Sequence, residues 1–345
     1  MNPPTSRRFA IHAILTLSAL LLAACGGGGG DSDGNTPVPT PTPVPTGPTD
    51  AQRSAAANTT ALSTSNACAA IQPFYWEIGD KSARIASGSV NAAGNSTVYV
   101  ASTQMSIASA SKWLYAGYVV QKRQGALTAA DIQFLNFRSG YTNFSTCLPG
   151  QTVDSCVAYL NNGVHSDATD GQFDYGGGHM QKHASLEGLG ALDNAGLAVE
   201  VRAQIGSDVG LAYSQPQPAG GGVSSAEDYA PYLRKLLAGS LRMAAALGTN
   251  PVCTNPMTCP AGQAIYTPIP TTESWHYSIG HWVEDDPAVG DGAFSSPGAF
   301  GFYPWVDASK TWYGVLARRD SSGGGVDSVY CGRLIRKAWV SGVAQ

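Results

Sequence analysis

The spacing of apolar residues changes along the chain, and these changes predict its secondary structure. Residues 74–78 and 82–90 are rich in β-forming residues on either side of a Gly-Asp turn, which predicts a hairpin, and residues 97–101 suggest a third strand. After Lys112 the apolar residues follow the period of an amphipathic helix, and Gly125 marks its end. The N-terminal part of the domain is therefore predicted to be a small sheet that leads into a helix.

Capping-box sequences in the middle of the chain predict further helices, at Thr128-x-x-Asp131 and at Ser224-x-x-Glu227. Strand-like segments return near the C-terminus, at residues 277–284, 299–306 and 312–318. A final amphipathic helix is predicted to begin at Asp327.

Strands at both ends of a chain can share one antiparallel sheet only if the segment between them is set aside as a second lobe. We therefore predict an α+β fold in which an antiparallel sheet from both chain ends packs with helices. A mostly helical insertion, about residues 126–270, forms the other lobe, and a cleft is expected between the two.

The composition of the 345-residue chain narrows the possible partners. Hydrophobic residues make up 43% of the sequence and charged residues 13%, so the chain can bury a sizeable core. The formal net charge is −4, and Lys and Arg are not clustered, which argues against a nucleic-acid partner and a basic membrane-binding face. A small or neutral partner is expected.

Residues 1–25 have the features of an export signal. Two arginines precede an apolar run at residues 9–24 that is too short to span a bilayer. The sequence Leu22-Ala-Ala-Cys25 resembles the lipobox of bacterial lipoproteins, which implies cleavage before Cys25 and acylation of its thiol. The alternative is an ordinary secretory signal in which the cysteine is incidental.

The export signal is followed by a tether and then by the folded domain. Residues 26–50 contain a glycine run and a Pro/Thr repeat, compositions that cannot build a core. Residues 51–345 form the predicted domain. We therefore expect an exported lipoprotein that a lipid anchor holds on the periplasmic or cell-surface face of a membrane.

Six cysteines remain once Cys25 is set aside, and an even number in an exported chain predicts disulfides. Two pairs would close short local loops and the third would tie the ends of the domain together. This most economical of the fifteen possible connectivities is Cys147–Cys156, Cys253–Cys259 and Cys68–Cys331.

Ser109 and Lys112 carry the clearest chemical signal. They lie three residues apart where a small-residue segment enters the predicted helix, so the hydroxyl and the amine share one face and can touch. Free N–H groups at the helix start favour negative charge on an attacking oxygen. Burial beside Trp113 would lower the pKa of the Lys112 amine and let it accept a proton. The alternative is a chance spacing with a solvated lysine.

Further candidates lie in the sequence from Phe173 to Met180. Its glycine run allows close backbone approach and presents Tyr175 on a turn, where the phenol could relay a proton. His179 and His183 have the spacing of metal ligands, but no Glu lies between them as in H-E-x-x-H and no third ligand is evident, so no metal is expected. The G-x-S-x-G motif of Ser-His-Asp hydrolases is absent from the sequence.

Together these segments resemble the serine β-lactamase and penicillin-binding-protein superfamily, especially its class C and esterase-like branches. The resemblance extends from about Phe74 to Trp339. Ser109 and Lys112 match the S-x-x-K motif, and Tyr175 falls where the family places the tyrosine of its second motif. Ser296-Pro-Gly298 occupies the place of the third motif, usually K-T-G or H-x-G.

The resemblance implies a two-step acyl transfer. Ser109 would attack, Lys112 and Tyr175 would move protons, and water would release the acyl group. The backbone N–H groups of Ser109 and Ala299 would form the oxyanion hole. The substrate cleft would include Gly177, Ser296 and Gly298. No metal or organic cofactor is implied.

Two positions depart from the family motifs and bear on the substrate. Gly177 stands where the second motif usually has Asn, and Ser296 stands where the third has a Lys or His that helps to hold a carboxylate. We therefore expect an ester or amide substrate that needs no carboxylate anchor. Two alternatives stay open, a β-lactamase or D,D-peptidase-type enzyme and a catalytically inactive ligand-binding relative. The oligomeric state is also left open.

Overall fold

Strands from both ends of the chain enclose a mostly helical middle in the computed structural model, which describes residues 47–345. The predicted export signal, the lipidation of Cys25 and nearly all of the tether lie outside these residues. The helices are α1 (Asp50–Ala61), α2 (Ser111–Lys122), α3 (Ala129–Leu135), α4 (Val153–Val157), α5 (Gly178–Ala184), α6 (Asn194–Ile205), α7 (Ala226–Leu237), α8 (Met243–Ala246) and α9 (Gly325–Ser341).

The strands are short in the middle of the chain and longer at its ends. They are β1 (Phe74–Gly79), β2 (Arg84–Val90), β3 (Met105–Ser106), β4 (Phe173–Asp174), β5 (Ala212–Tyr213), β6 (Gly222–Ser224), β7 (Val252–Cys253), β8 (Ala264–Tyr266), β9 (His276–Ser278), β10 (His281–Glu284), β11 (Ala293–Ser295), β12 (Tyr303–Val306) and β13 (Tyr313–Ala317).

An eight-stranded antiparallel sheet joins the two ends of the chain. Its order is β2-β1-β13-β12-β11-β10-β9-β7, so the first strands of the domain pair directly with the last. Trp76 of β1 lies opposite Leu316 of β13 in this register. The predicted α+β fold, with an antiparallel sheet built from both chain ends and a mostly helical insertion, is confirmed.

Helices cover both faces of this sheet, which explains why every residue of β1 and β13 is buried. On one face α9 packs so closely on β12 that a Cβ at Gly332 would lie 2.5 Å from the Tyr303 ring. On the other face, Arg234 of α7 interacts with Tyr313 of β13. Alternate residues of a strand point to opposite faces, and the register places these two tyrosines on opposite sides.

Two small sheets position the loops around the cleft. The order β3-β6-β5 brings the segment before α2 next to the loop between β5 and β6. The parallel pair β4-β8 fixes the chain just before Tyr175, whose N–H donates to the carbonyl of Tyr266 at 3.1 Å. Segments far apart in sequence therefore meet on either side of α2.

Two predicted strands have different boundaries because turns interrupt the apolar pattern. Residues 277–284 form the hairpin β9–β10, whose turn holds Ile279 (φ 36°) and Gly280 (φ 75°) in the left-handed region. Ala299 lies in the turn between β11 and β12, so the strand begins only at Tyr303. A β-branched residue at positive φ gives no turn signal in the sequence.

Three other predictions of local structure need correction. Residues 97–101 form no strand; the carbonyl of Tyr99 accepts a hydrogen bond from the Ser89 hydroxyl at 2.6 Å instead of joining a ladder. The capping box predicted from Ser224 is wrong, because that residue ends β6 and Ser225 caps α7. The last helix begins at Gly325, before Asp327. The capping box of Thr128 and Asp131 is present as predicted.

Three disulfides join the pairs that the sequence predicts, Cys68–Cys331, Cys147–Cys156 and Cys253–Cys259. The first ties the segment before β1 to α9 across 263 residues, whereas the last closes a loop of 6. Among residues 47–345, no helix combines the length and apolar character needed to cross a membrane.

The long and the short disulfide should differ in their effect on stability. Cross-linking restricts the unfolded chain more when the loop is longer, so replacing Cys68 and Cys331 with Ala should lower the free energy of unfolding by about 5 kcal/mol, against about 2 kcal/mol for Cys253 and Cys259. Urea unfolding under non-reducing conditions measures both losses. Equal losses would contradict a difference set by loop length.

Candidate active site

Ser109 lies on a sharp backbone elbow between β3 and α2. The elbow is the 3₁₀ turn Ala108–Ala110, and Ala108 is held at φ 42°, a region that residues with a Cβ rarely adopt. The hydroxyl of Ser111 donates to the Ala108 carbonyl at 2.6 Å and accepts from the Gly222 N–H at 3.0 Å. This fastens the elbow to β6 and leaves Ser109 partly exposed at the cleft.

The Lys112 amine lies directly beside this serine. Its Nζ is 3.0 Å from the Ser109 Oγ and donates to the Ala219 carbonyl at 2.7 Å. The side chain is buried, and loss of hydration lowers the pKa of the amine from 10.5 to about 7. A substantial fraction of the amine is therefore neutral at neutral pH and able to accept a proton.

Tyr175 stacks its ring against the same amine. The Lys112 Nζ lies 4.8 Å from the centre of the Tyr175 ring, which also packs on Trp282 at 5.2 Å. Burial raises the pKa of the Tyr175 phenol to about 12, partly offset by hydrogen bonds with the Ser109 hydroxyl and the Trp282 side chain. The phenol is therefore protonated at neutral pH, where it can donate or relay a proton but cannot act as an anionic base.

The N–H groups of Ser109 and Ala299 are both free to bind a ligand. Neither donates to a protein acceptor within residues 47–345. Ala299 follows Gly298, whose position is so close to the elbow that a Cβ there would lie 2.2 Å from the Ile107 carbonyl oxygen. Only glycine permits this contact, which brings the predicted oxyanion segment against the elbow that holds Ser109.

Ser296 differs from the sequence-based expectation that it belongs to the substrate cleft. It is buried, and its hydroxyl donates to the backbone carbonyl of Ser109 at 3.0 Å. It lines neither of the cavities beside Ser109. The side chain at the first position of the third motif therefore holds the elbow in place, because it follows β11 directly and faces the Ser109 backbone.

Two cavities meet at Ser109. The polar cavity, of about 450 Å³, is lined among others by Ser106, Lys112, Gly177, Gln215 and Gln217. The apolar cavity, of about 250 Å³, is lined among others by Tyr175, Ile269, Trp282, Gly298 and Ala299. Lys112 is the only charged side chain among the described residues that line them.

The histidines considered as metal ligands are already engaged. His179 contacts the Ser139 hydroxyl at 2.8 Å and the Asp174 carbonyl at 3.0 Å, and burial lowers its pKa to about 3. His183 contacts Tyr115 and Asp131, both at 3.0 Å. The carboxylates nearest to His183 are paired with Arg123.

Asp131, His183 and Glu187 are nevertheless close enough together for a metal ion. Arg123 forms ion pairs with both carboxylates and Lys122 with Glu187, so two cations balance the two carboxylates where the ends of α2 and α5 meet α3.

Two further residues, Ser111 and Ala219, belong to the site although no sequence motif pointed to them. Ser111 lies between Ser109 and Lys112 in the chain, and its fully buried hydroxyl fixes the elbow. A second serine inside the S-x-x-K segment was the signal that could have identified it. Ala219 acts through its carbonyl, so its residue type carries no signal.

Several solved structures have a similar fold, although no protein-family model and no curated protein matches the sequence. A penicillin-binding protein homologue from Pyrococcus abyssi, an octamer, superposes with a TM-score of 0.56 at 13% identity, covering 80% of this chain and 74% of that one. A D-stereospecific amidohydrolase from Streptomyces sp. gives 0.53 at 14% identity, covering 83% and 99%.

Simvastatin synthase from Aspergillus terreus is also similar, with a TM-score of 0.54 at 11% identity and coverage of 83% of this chain and 99% of that one. At such low identities the likeness concerns the fold. The order of the central sheet, the helical insertion and these similarities together show that the chain adopts the fold of the serine β-lactamase and penicillin-binding-protein superfamily, as its motifs predict.

Proposed function

We propose that this protein is a serine hydrolase that cleaves an ester or amide through an acyl-enzyme. The observation that carries the proposal is the contact between the Ser109 hydroxyl and a buried amine whose pKa is lowered to about 7. An amine of ordinary pKa would be protonated and could not take a proton from the attacking serine. The pair therefore has both the geometry and the protonation state that nucleophilic catalysis needs.

The first half of the reaction forms the acyl-enzyme. The Ser109 Oγ attacks the substrate carbonyl carbon while its proton passes to the Lys112 amine. The carbonyl oxygen becomes negative and accepts hydrogen bonds from the N–H groups of Ser109 and Ala299. The bond to the leaving group then breaks, and the leaving group takes the proton back from the Lys112 ammonium, directly or through the Tyr175 hydroxyl.

The second half releases the product. Water attacks the acyl carbonyl carbon and gives its proton to Lys112, and the same N–H groups bind the negative oxygen. Collapse of this intermediate breaks the bond to the Ser109 Oγ, which recovers its proton from the ammonium. An acid leaves, and both residues return to their starting states.

The charge of the two cavities favours a substrate without a carboxylate anchor. Beyond Lys112, the described residues that line them include no cation that could bind a carboxylate. This supports ester or amide hydrolysis over the β-lactamase or D,D-peptidase alternative. The intact contact between Ser109 and Lys112 supports an enzyme over an inactive ligand-binding relative.

We also propose that the protein is an exported lipoprotein anchored through Cys25. The lipobox-like sequence supports the anchor, and three disulfides support an oxidising compartment.

Fluorophosphonate labelling tests the nucleophile. Intact-protein mass spectrometry should show one adduct on the wild type and none on Ser109→Ala, because only the activated hydroxyl displaces the fluoride. Ser207→Ala, which removes an exposed serine, should be labelled like the wild type. A stable adduct with penicillin would instead favour the β-lactamase or D,D-peptidase alternative, and a wild type that stays unlabelled would favour the inactive relative.

The pH dependence of this labelling tests the base. Because the neutral amine is the active form and its pKa is about 7, the labelling rate should fall about tenfold per pH unit below pH 7 and stay level up to about pH 10. Stopped labelling reactions across this range give the rate. A rate that keeps rising until about pH 10.5, the ordinary pKa of a lysine, would contradict an amine shifted by burial.

The pH dependence of the unfolding free energy is an independent test of the pKa of Lys112. Between about pH 7 and 10.5 the unfolded chain binds one more proton at Lys112 than the folded chain does. The unfolding free energy of the wild type should therefore rise with pH, relative to Lys112→Met, by roughly 1 kcal/mol per pH unit in this window. The difference should be constant below it, where both states carry the proton.

Lipid labelling in cells tests the anchor. Radiolabelled palmitate should enter the full-length protein and be absent from Cys25→Ser, because acylation needs the thiol. A wild-type protein that is secreted without label would identify an ordinary secretory signal.

A further inference from the structure

A glutamine side chain without a protein partner projects into the polar cavity. Gln217 belongs to the loop between β5 and β6, and its backbone is fixed by hydrogen bonds with Gln215 at 2.7 Å and with Gly221 at 2.8 Å. The same loop supplies the Ala219 carbonyl that binds the Lys112 amine. The position of Gln217 is therefore coupled to that of the proposed base.

Two glycines make room for the Gln217 carboxamide. A Cβ at Gly220 would lie 3.1 Å from its Nε2, and a Cβ at Gly177 would lie 3.5 Å from the same atom. Both glycines line the polar cavity together with Ser109. The carboxamide therefore occupies the wall of this cavity, in space that side chains at either position would restrict.

The Gln217 carboxamide offers its full hydrogen-bonding capacity to a ligand. Within residues 47–345 it makes no side-chain hydrogen bond, although it is only partly exposed. A carboxamide has an N–H₂ donor and a carbonyl acceptor side by side. Either group can bind a polar group of a ligand that enters the cavity.

The remaining polar groups of the cavity indicate a neutral ligand group. Gln215, Ser106 and Ser214 line it with amides and hydroxyls, and Lys112 supplies the only charge. A carboxylate here would find no second cation, whereas the N–H of a neutral secondary amide can donate to the carboxamide oxygen. The apolar cavity on the other side of Ser109 fits an apolar group.

We propose that Gln217 is a specificity-determining residue that binds a secondary amide of the substrate in the polar cavity. The amide N–H donates to the Gln217 Oε1, and the carbonyl of a trans amide points away from this contact. The substrate is then an ester or amide with an apolar group on one side of the scissile carbonyl and a secondary amide on the other. This inference deepens the proposed function and rests on it.

Matched substrates test the proposal. Two pairs of esters are used. In the first pair the alcohol part carries the secondary amide and the acyl group is hexanoyl. In the second pair the acyl part carries the secondary amide and the alcohol is hexanol. In each pair the second member has CH₂ in place of the amide N–H. In one of the pairs, the wild-type kcat/KM should be about three- to tenfold higher for the amide member, the expected effect of one hydrogen bond. The preference should approach one in Gln217→Leu, which keeps the side-chain bulk.

Gln133→Leu is the matched control, because it makes the same change on the exposed surface of α3. It should keep the wild-type preference. A wild type without preference in either pair would overturn the proposal. So would a preference that survives in both Gln217→Leu and Gln217→Ala.

Binding to Ser109→Ala separates this proposal from the proposed function. Calorimetry on that variant, which cannot form the acyl-enzyme, should give a several-fold lower Kd for the amide member than for its CH₂ analogue. If the amide member binds more tightly but the wild type hydrolyses neither, the hydrolase proposal fails, whereas Gln217 remains an amide-binding residue of this cavity. Equal affinities for both members would overturn the inference even if both are hydrolysed.

Discussion

Removing the Lys112 amine from water is the constraint on which the rest of the site depends. An ammonium in this position would lose its hydration and gain little, because no carboxylate among the described residues forms an ion pair with it and the Ala219 carbonyl is its backbone partner. The aromatic rings of Phe137 and Tyr175 offer only weak cation–π attraction. Burial therefore favours the neutral amine at a cost in stability, a combination that is common at functional sites.

The same burial makes the interactions of the backbone N–H groups around Ser109 sensitive to their geometry. In a medium of low polarity, N–H groups aimed at a developing negative charge act more strongly than they would in water, but only if they are held in place. Ser111 holds the elbow from β6, and Ser296 holds the Ser109 carbonyl from the end of β11. The hydroxyls of Ser111 and Ser296 thus fix Ser109 between two sheets.

Local chemistry could be predicted from the sequence because it depends on spacing within one element. Ser109 and Lys112 touch because they are one helical turn apart, and the central sheet followed from strand patterns at both chain ends. The disulfide pairing could be predicted for a similar reason, since two of the three bonds close short loops.

Features set by tertiary contacts could not be predicted in this way. Ile279 adopts positive φ because the hairpin β9–β10 requires it, and Ser296 faces the Ser109 backbone because of where β11 ends. The ring of Tyr175 lies over Lys112 through the pairing of β4 with β8, strands about ninety residues apart in the chain. Gln217 gave no signal either, because its importance comes from the loop that brings it beside Gly177.

The proposed recognition of a neutral group in the polar cavity is compatible with the proposed role of Lys112 as the base. A second cation beside Ser109 would lower the pKa of Lys112 further, whereas an anionic group there would raise it and restore the proton. A glutamine can discriminate between substrates through hydrogen bonds without changing the charge around the amine. The uncharged side chains of Ser296 and Gln217 thus fit one requirement of the proposed mechanism, that a substrate bind without shifting the protonation of Lys112.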